Sequence, residues 1–261
     1  MSDPVLVMEH VTLDMTTQAR RGGGSRKQRL RRLAGESKRV KVELLADLNL
    51  SMSPGESIAL ITRQQRLRAV TVRLATGSLL PDSGSVRREV DAVAMRALPR
   101  VLRRRMTVRQ NIYLLGGLLG LAPDFITAHL DEVVEIARFK GSIDKYLYTV
   151  GKSAGPRIAN AVLVLANPGL VAVERSMYAG SASEHTTELL QDLRSNGTAF
   201  LLCVEDFAQA RSFCDAAFLI EDGVSTELMS VASAIERVRA ASDDPLDEEP
   251  EEIEEDDDDD Y

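Results

Sequence analysis

The feature that most constrains this chain is a strand, a short loop and a helix laid end to end between residues 54 and 77. Pro54-Gly55-Glu56 reads as a turn, residues 57–61 as a short apolar strand, and residues 68–76 as a helix that stops at Gly77. A strand that feeds a helix through a tight loop is the geometry of a phosphate site. The pattern then recurs. Residues 158–166 read as helix, 170–173 as strand, 186–194 as helix, 199–203 as strand and, after one more helix, 217–220 as a third strand. Strands alternating with helices imply a parallel sheet and an α/β fold.

Before this unit, residues 5–13 and 43–51 read as strands, separated by a Gly-, Arg- and Lys-rich insertion at 20–41 that is read as a loop or a short basic helix around 28–33. Between 107 and 139 the sequence is helical twice over. Thr107 with Gln110 forms a capping-box pattern for the first helix, and Ala122-Pro123-Asp124 ends it and opens the second. No internal repeat is present.

Composition narrows the function. The 261 residues are 44% hydrophobic, enough for a large core with a smaller appended subdomain, and the apolar content is mostly Leu, Val and Ala without Trp. The longest apolar run, 112–122, is interrupted by Gly116, Gly117 and Gly120 and falls short of the roughly 20 residues of a membrane span, so a membrane role is expected to be peripheral. Cys203 and Cys214 lack ligand spacing and nothing reads as a signal peptide, which points to free thiols in a reducing compartment. His10, His129 and His185 lie too far apart to suggest zinc, and no Ser or Cys has a recognisable base partner.

The net charge of -8 is split along the chain. Residues 243–261 carry fourteen acidic and no basic residues, so the tail is -14 and the remaining body +6. Such a tail cannot bury enough apolar surface to offset its ordering entropy and is expected to be disordered, either solubilising or binding a basic surface. Two dense basic stretches balance it: residues 20–41, and Arg96, Arg100, Arg103, Arg104, Arg105 and Arg109. Clustered cations supply a nonspecific phosphate attraction, but no aromatic platform or reading motif accompanies them in the sequence, which argues against nucleic acid.

The loop Thr62-Arg63-Gln64-Gln65-Arg66-Leu67-Arg68-Ala69, followed by Val70, stands where a P-loop would read GxxxxGK[ST] and matches none of its fixed positions. The surrounding frame nevertheless resembles the nucleotide-binding subunit of an ABC transporter. Ala75-Thr76-Gly77, Pro81 and Ser83-Gly84 fall at the family's spacing after that loop, and Phe213-Cys214-Asp215 and Glu221-Asp222-Gly223 close the series. Thr107-Val108-Arg109-Gln110-Asn111-Ile112 with Leu118-Leu119-Gly120-Leu121 resembles the TGxENI stretch of the polysaccharide and teichoic-acid exporter branch, which often carries an N-terminal insertion like residues 16–41. The resemblance covers roughly residues 5–225. It implies a P-loop NTPase-like core with a mixed sheet and a helical insertion subdomain at about 107–160, within a domain spanning 1–242, followed by the acidic tail 243–261.

The same resemblance marks what is missing. Thr62 and Leu67 occupy the glycine places, where a left-handed backbone costs about 1–2 kcal/mol, and Leu67 is expected to project toward the cradle. Arg68 replaces the lysine with a planar fork, and Ala69 has no hydroxyl for magnesium. Arg63, Arg66 and Arg68 offer charge for weak anion binding, but the preferred reading is solvated surface charge. After the strand at 170–173, the family's metal-binding Asp and water-polarising Glu correspond to Glu174 and Arg175; an arginine has no acceptor and cannot be a general base. Together these two also read as an ordinary charge pair at a strand end. Glu205 replaces the switch histidine, and Tyr148-Thr149-Val150-Gly151-Lys152 keeps only the glycine of the signature motif. Neither a metal-sensing Gln between 92 and 106 nor a base-stacking aromatic near Met15 is present.

These readings imply a catalytically degenerate exporter subunit at the inner face of the cell membrane, with no cofactor; ATP and magnesium enter only if the frame outweighs the losses. A membrane permease is the implied partner, received at Arg96, Arg100, Arg103, Arg104 and Arg105, a stretch that reads equally as an anionic-lipid contact or as solvated charge balanced by the acidic tail; an active cassette subunit or a second copy completes a dimer. The alternatives are a soluble module that binds protein or nucleic acid through its basic loops and acidic tail, and an unconventional ATPase.

Overall fold

The computed structural model describes residues 3–18, 39–95, 98–176, 183–204 and 207–241. The first strands, β1 (Leu6–Gln18) and β2 (Arg39–Met52), pair antiparallel along their length. β3 (Ser57–Leu60) follows the Pro54-Gly55 turn and leads into α1 (Gln65–Ala75). This helix starts three residues earlier than the sequence suggests, since Arg68 N–H already donates to Gln64 O. It ends where Gly77, at φ 74°, allows the left-handed turn that a helix C-terminus favours. Arg88 lies against that glycine and donates from Nη1 to Leu74 O, 3.1 Å away, placing a cation at the negative end of the helix.

β4 (Ser83–Arg88) and β5 (Ala92–Ala94) come next, then the helices α2 (Leu98–Val101), α3 (Val108–Leu118), α4 (Pro123–Ala128) and α5 (Leu130–Ile136). The capping box forms as expected: Thr107 Oγ1 accepts from Gln110 N–H and Gln110 Oε1 accepts from Thr107 N–H. The stretch expected to hold one second helix holds two. Pro123 opens α4, and the backbone leaves helical geometry at His129 before α5 begins. α6 (Ala154–Ala166) ends on Asn167 in the left-handed region and turns at once into β6 (Leu170–Arg175). Gly169 makes this corner possible, because a Cβ there would lie 2.4 Å from Val90 Cβ. α7 (Ser183–Ser195), β7 (Ala199–Val204), α8 (Phe207–Phe213), β8 (Ala216–Phe218), β9 (Ile220–Glu221), β10 (Val224–Ser225) and α9 (Val231–Ala241) complete the order. The third strand expected at 217–220 is thus divided, with Ile220 passing to another sheet.

Two sheets result. The parallel one runs β5-β6-β7-β3-β8, and the mixed one β4-β1-β2-β10-β9. All of β3 and β7 is buried, which explains why their sequences are continuous apolar runs. Alternate residues serve opposite faces. Ile58, Leu60, Leu170, Ala172, Leu201 and Cys203 pack with α1 and the inner residues of β1 and β2. Ala59, Val171, Val173, Phe200, Leu202 and Val204 pack with α3, α6, α7 and α9. The parallel sheet is therefore the middle layer, covered on both sides.

The strands β3 and β8 are fastened at their N-terminal ends by Arg194. Its Nε donates to Gly55 O (3.1 Å), its Nη1 to Phe213 O (2.8 Å), and its Nη2 pairs with Asp215. Asp215 in turn accepts from Ser57 N–H. At the other edge, Gly84 fits under a bulge in β1 at His10; a Cβ on Gly84 would meet His10 O at 2.2 Å. The insertion expected at 16–41 begins and ends as regular sheet: Thr16, Thr17 and Gln18 pair with Lys41, Val40 and Arg39. Its expected loop or helix lies outside the described residues, as does the tail 243–261.

Candidate functional site

The loop after β3 lies at the C-terminal edge of the parallel sheet, where ligands bind in open α/β folds. Its side chains sort cleanly. Thr62, Leu67, Arg68 and Val70 are buried, Ala69 is half-buried, and Arg63, Gln64, Gln65 and Arg66 are exposed. Solvated charge is therefore correct for Arg63 and Arg66 and wrong for Arg68, which is 3% exposed. Arg68 curls back into its own loop, and its Nη1 donates to Thr62 O (3.1 Å) and Arg63 O (3.0 Å). Helical spacing carries the reason: Arg68, Thr71 and Ala75 share the face of α1 turned to the protein.

Leu67 is a second correction. It does not reach toward a cradle but packs into the core between α1 and the mixed sheet. No residue from 62 to 70 has a positive φ, so the left-handed strain expected at Thr62 and Leu67 does not arise. The loop has become the first turn of a helix. Gln64 N–H is used internally, donating to Thr62 Oγ1 at 3.2 Å.

The arrangement differs from a phosphate cradle in what its carbonyls do. A cradle aims backbone N–H groups at an anion; here two backbone carbonyls are aimed at a guanidinium that the chain itself supplies. The residues as arranged do not fit magnesium at this loop, since Ala69 offers the metal no oxygen ligand, and the Arg68 Nη1 is committed to the loop's own carbonyls.

Glu174 and Arg175 end β6, next to Cys203 and Val204 of β7. Arg175 is exposed and holds φ 71°, with Ser176 N–H donating to Glu174 O across it at 3.0 Å. This is a positive-φ γ-turn, a strained conformation for a non-glycine residue. Glu174 is half-buried. Burial pushes the Cys203 thiol far up, Glu174 adds to the rise and Arg68 opposes it, so both charges act on one buried sulfur at the sheet edge. Glu205 lies outside the described residues.

A second region gathers around the arginines. Arg100, Arg103, Arg104 and Arg105 are exposed, while Arg96 lies outside the described residues. Arg109 is different: its Nε donates to Asp144 Oδ1 at 2.7 Å, and that pairing holds the Asp144 carboxyl below its ordinary range. Asn111 is fully buried and stitches the stretch together. Its Oδ1 accepts from Arg103 N–H, and its Nδ2 donates to Arg103 O and Thr107 O. The sequence marks Asn111 only as part of a motif; its position inside the capped first turn of α3 is the signal for its bonding role. The segment 143–149 lies alongside, with Tyr148 N–H donating to Arg104 O and Leu147 N–H to Met106 O. It carries Tyr146 and Tyr148, exposed and stacked with ring centroids 5.6 Å apart. An aromatic platform is therefore present beside the arginines, contrary to the sequence expectation, because its two rings come from a segment some forty residues away. Gly151, in the signature position, is exposed just before α6.

A two-faced parallel sheet, a mixed sheet over α1 and a helical insertion between β5 and β6 together make the fold of an ABC-transporter ATPase subunit. A solved ATP binding subunit of an ABC transporter superposes with a TM-score of 0.65 at 15% identity, over 88% of this chain and 91% of that one. The homologues are ATP-binding proteins of O-antigen and teichoic acid export, as the sequence resemblance implies. The chain is 22% identical over 246 residues to the O-antigen export system ATP-binding protein RfbB of Klebsiella pneumoniae, covering 91% of this chain and 98% of that protein. To the teichoic acids export ATP-binding protein TagH of Lactococcus lactis subsp. lactis it is 20% identical over 203 residues, 76% of this chain and 43% of that one. No family model matches the chain. Among the described residues, no helix is long and apolar enough to cross a membrane.

Proposed function

We propose that this chain is a nucleotide-binding subunit of a membrane exporter for a polysaccharide or teichoic-acid-like polymer, and that it has lost the chemistry of ATP hydrolysis. The observation that carries this reading is the Arg68 guanidinium at the place of the phosphate-binding lysine: it is buried, 3% exposed, and its Nη1 is committed to the carbonyls of Thr62 and Arg63 in its own loop. Arg175, at the place of a general base, supports it, since a guanidinium cannot take a proton from water. By sequence resemblance Glu205 stands in place of the switch histidine, and a carboxylate repels a γ-phosphate.

The domain is taken as residues 1–242, with the helical subdomain at about 107–160 and the tail 243–261 outside it. Such a subunit acts as a structural or regulatory half at the inner face of the membrane, bound to a permease and paired with an active cassette or a second copy. The exposed Arg100, Arg103, Arg104 and Arg105 support a docking role for that stretch, because they are cations that the fold leaves facing outward. The same arginines, with Tyr146 and Tyr148 beside them, favour a second reading: a soluble module that binds protein or nucleic acid.

ATP turnover by the purified chain is the first test. The expected rate is background, unchanged in Glu174→Ala; turnover that this substitution abolishes refutes the inactive assignment. Recovery from solubilised membranes separates the two readings. Co-purification of a multi-span permease supports the first, and capture of only soluble protein or nucleic acid supports the second.

A further inference from the structure

The surface formed by residues 98–109 and 143–152 carries a charge imbalance that has to be met whenever no permease covers it. No acidic residue occurs from 92 to 123, and between 136 and 173 the only one is Asp144, which is committed to Arg109. Arg100, Arg103, Arg104, Arg105, Lys145 and Lys152 are exposed, and none of their side chains has an ion-pair partner among the described residues. Backbone bonds from Tyr148 to Arg104 and from Leu147 to Met106 hold the two segments together, and Gly155 lies against Leu102, which keeps Lys152 beside the same ledge. The fold thus holds side by side two segments that together carry six exposed cations.

We propose that the acidic segment 243–261 of this same chain docks on that ledge. It is the only part of the sequence with matching charge: fourteen carboxylates and no cation. It is also within reach. α9 ends at Ala241, and fifteen extended residues span roughly 50 Å at about 3.3 Å each, whereas a body of this size has a radius of gyration of about 18 Å. Tethering raises the effective concentration to the millimolar range, so weak individual charge contacts suffice. Docking shields the ledge, and an anionic partner has to displace the tail to reach it.

Zero-length carbodiimide coupling of the full chain, read by mass spectrometry, tests this directly. In low salt, residues 243–260 are expected to link within one chain to Lys145 or Lys152. The links are lost as salt rises to about 1 M, where the Debye length shrinks to ~3 Å, and in R100E/R103E/R104E/R105E, whose circular dichroism stays unchanged. Changing Asp256 through Asp260 to Asn, which leaves the folded body intact, cuts them several-fold. Links that fall mainly on Lys27 or Lys38 of the insertion, links only between differently isotope-labelled chains, or links indifferent to the arginine reversals overturn the proposal. Tyr146→Ala/Tyr148→Ala is expected to keep the links, because charge and not stacking holds the segment; their loss there counts against it. Single-stranded RNA is the last probe: equal capture by the full chain and by the asparagine-tail variant shows a ledge that the tail does not cover, and also overturns it.

Discussion

Replacing Arg68 by Ala removes a nearly fully buried side chain whose guanidinium makes two hydrogen bonds to loop carbonyls. Hydrogen bonds involving a charged partner contribute about 1.5–3 kcal/mol each, but desolvation of the guanidinium offsets part of that gain. The two carbonyls fare differently once the arginine is gone. Thr62 is buried, so its oxygen is left without a donor at a cost of ~1–3 kcal/mol, while Arg63 is exposed and its oxygen is rehydrated. Adding the lost packing of the arginine stem, the expected destabilisation is about 2–4 kcal/mol. For a folded body of this size that corresponds to a Tm lower by roughly 4–8 °C. Urea unfolding monitored by circular dichroism measures it, with Arg63→Ala and Arg66→Ala as exposed controls expected within about 0.5 kcal/mol of the parent. An Arg68→Ala loss below about 1 kcal/mol, indistinguishable from the controls, refutes the claim that the loop is built around this cation.

Other substitutions act through similarly close contacts. Gly84→Ala drives a Cβ into the carbonyl of His10 at φ 82° and is expected to cost more than about 2 kcal/mol in urea unfolding. Asn111→Leu strands the Arg103 and Thr107 backbone groups and is expected to cost about 2–3 kcal/mol and to speed proteolysis within residues 100–106. Burial first, and Asp215 further, push the Cys214 thiol up to about 11, against the opposing Ser57 hydrogen bond and Arg194. The neutral thiol is thus favoured in the folded state. Its contribution to stability is complete below the ordinary thiol range and is lost as pH rises through about 11, so the urea midpoint falls in alkali and falls less in Cys214→Ala. Iodoacetamide at pH 8 is expected to modify the native chain slowly, with only about one Cys214 in a thousand ionised.

Much of the frame is legible in the sequence because local chemistry decides it. Thr107 with Gln110 caps a helix by their own hydrogen bonds, Pro123 opens one because it needs no N–H donor there, and the apolar runs at β3, β6 and β7 declare strands covered on both faces. The misreadings fall where tertiary contacts decide. Basic composition marks residues 39–41 as loop and the resemblance assigns 16–18 to the same insertion, yet cross-strand pairing extends the sheet through both. Residue type alone makes Arg68 solvated, although its spacing from Thr71 and Ala75 places it on the buried face of α1. The stacked tyrosines beside Arg104 depend on a backbone bond between residues 44 positions apart, which no local pattern encodes.

Arg194 gives the altered loop a wider meaning. It ties Gly55, Phe213 and Asp215 together at the foot of the strands, whereas Thr62 through Val70 and the Glu174-Arg175 turn lie at their head. The clamp at the foot shares no residue with the loop at the head, so the strand ends that Arg194 fastens stay tied whatever side chains the head carries.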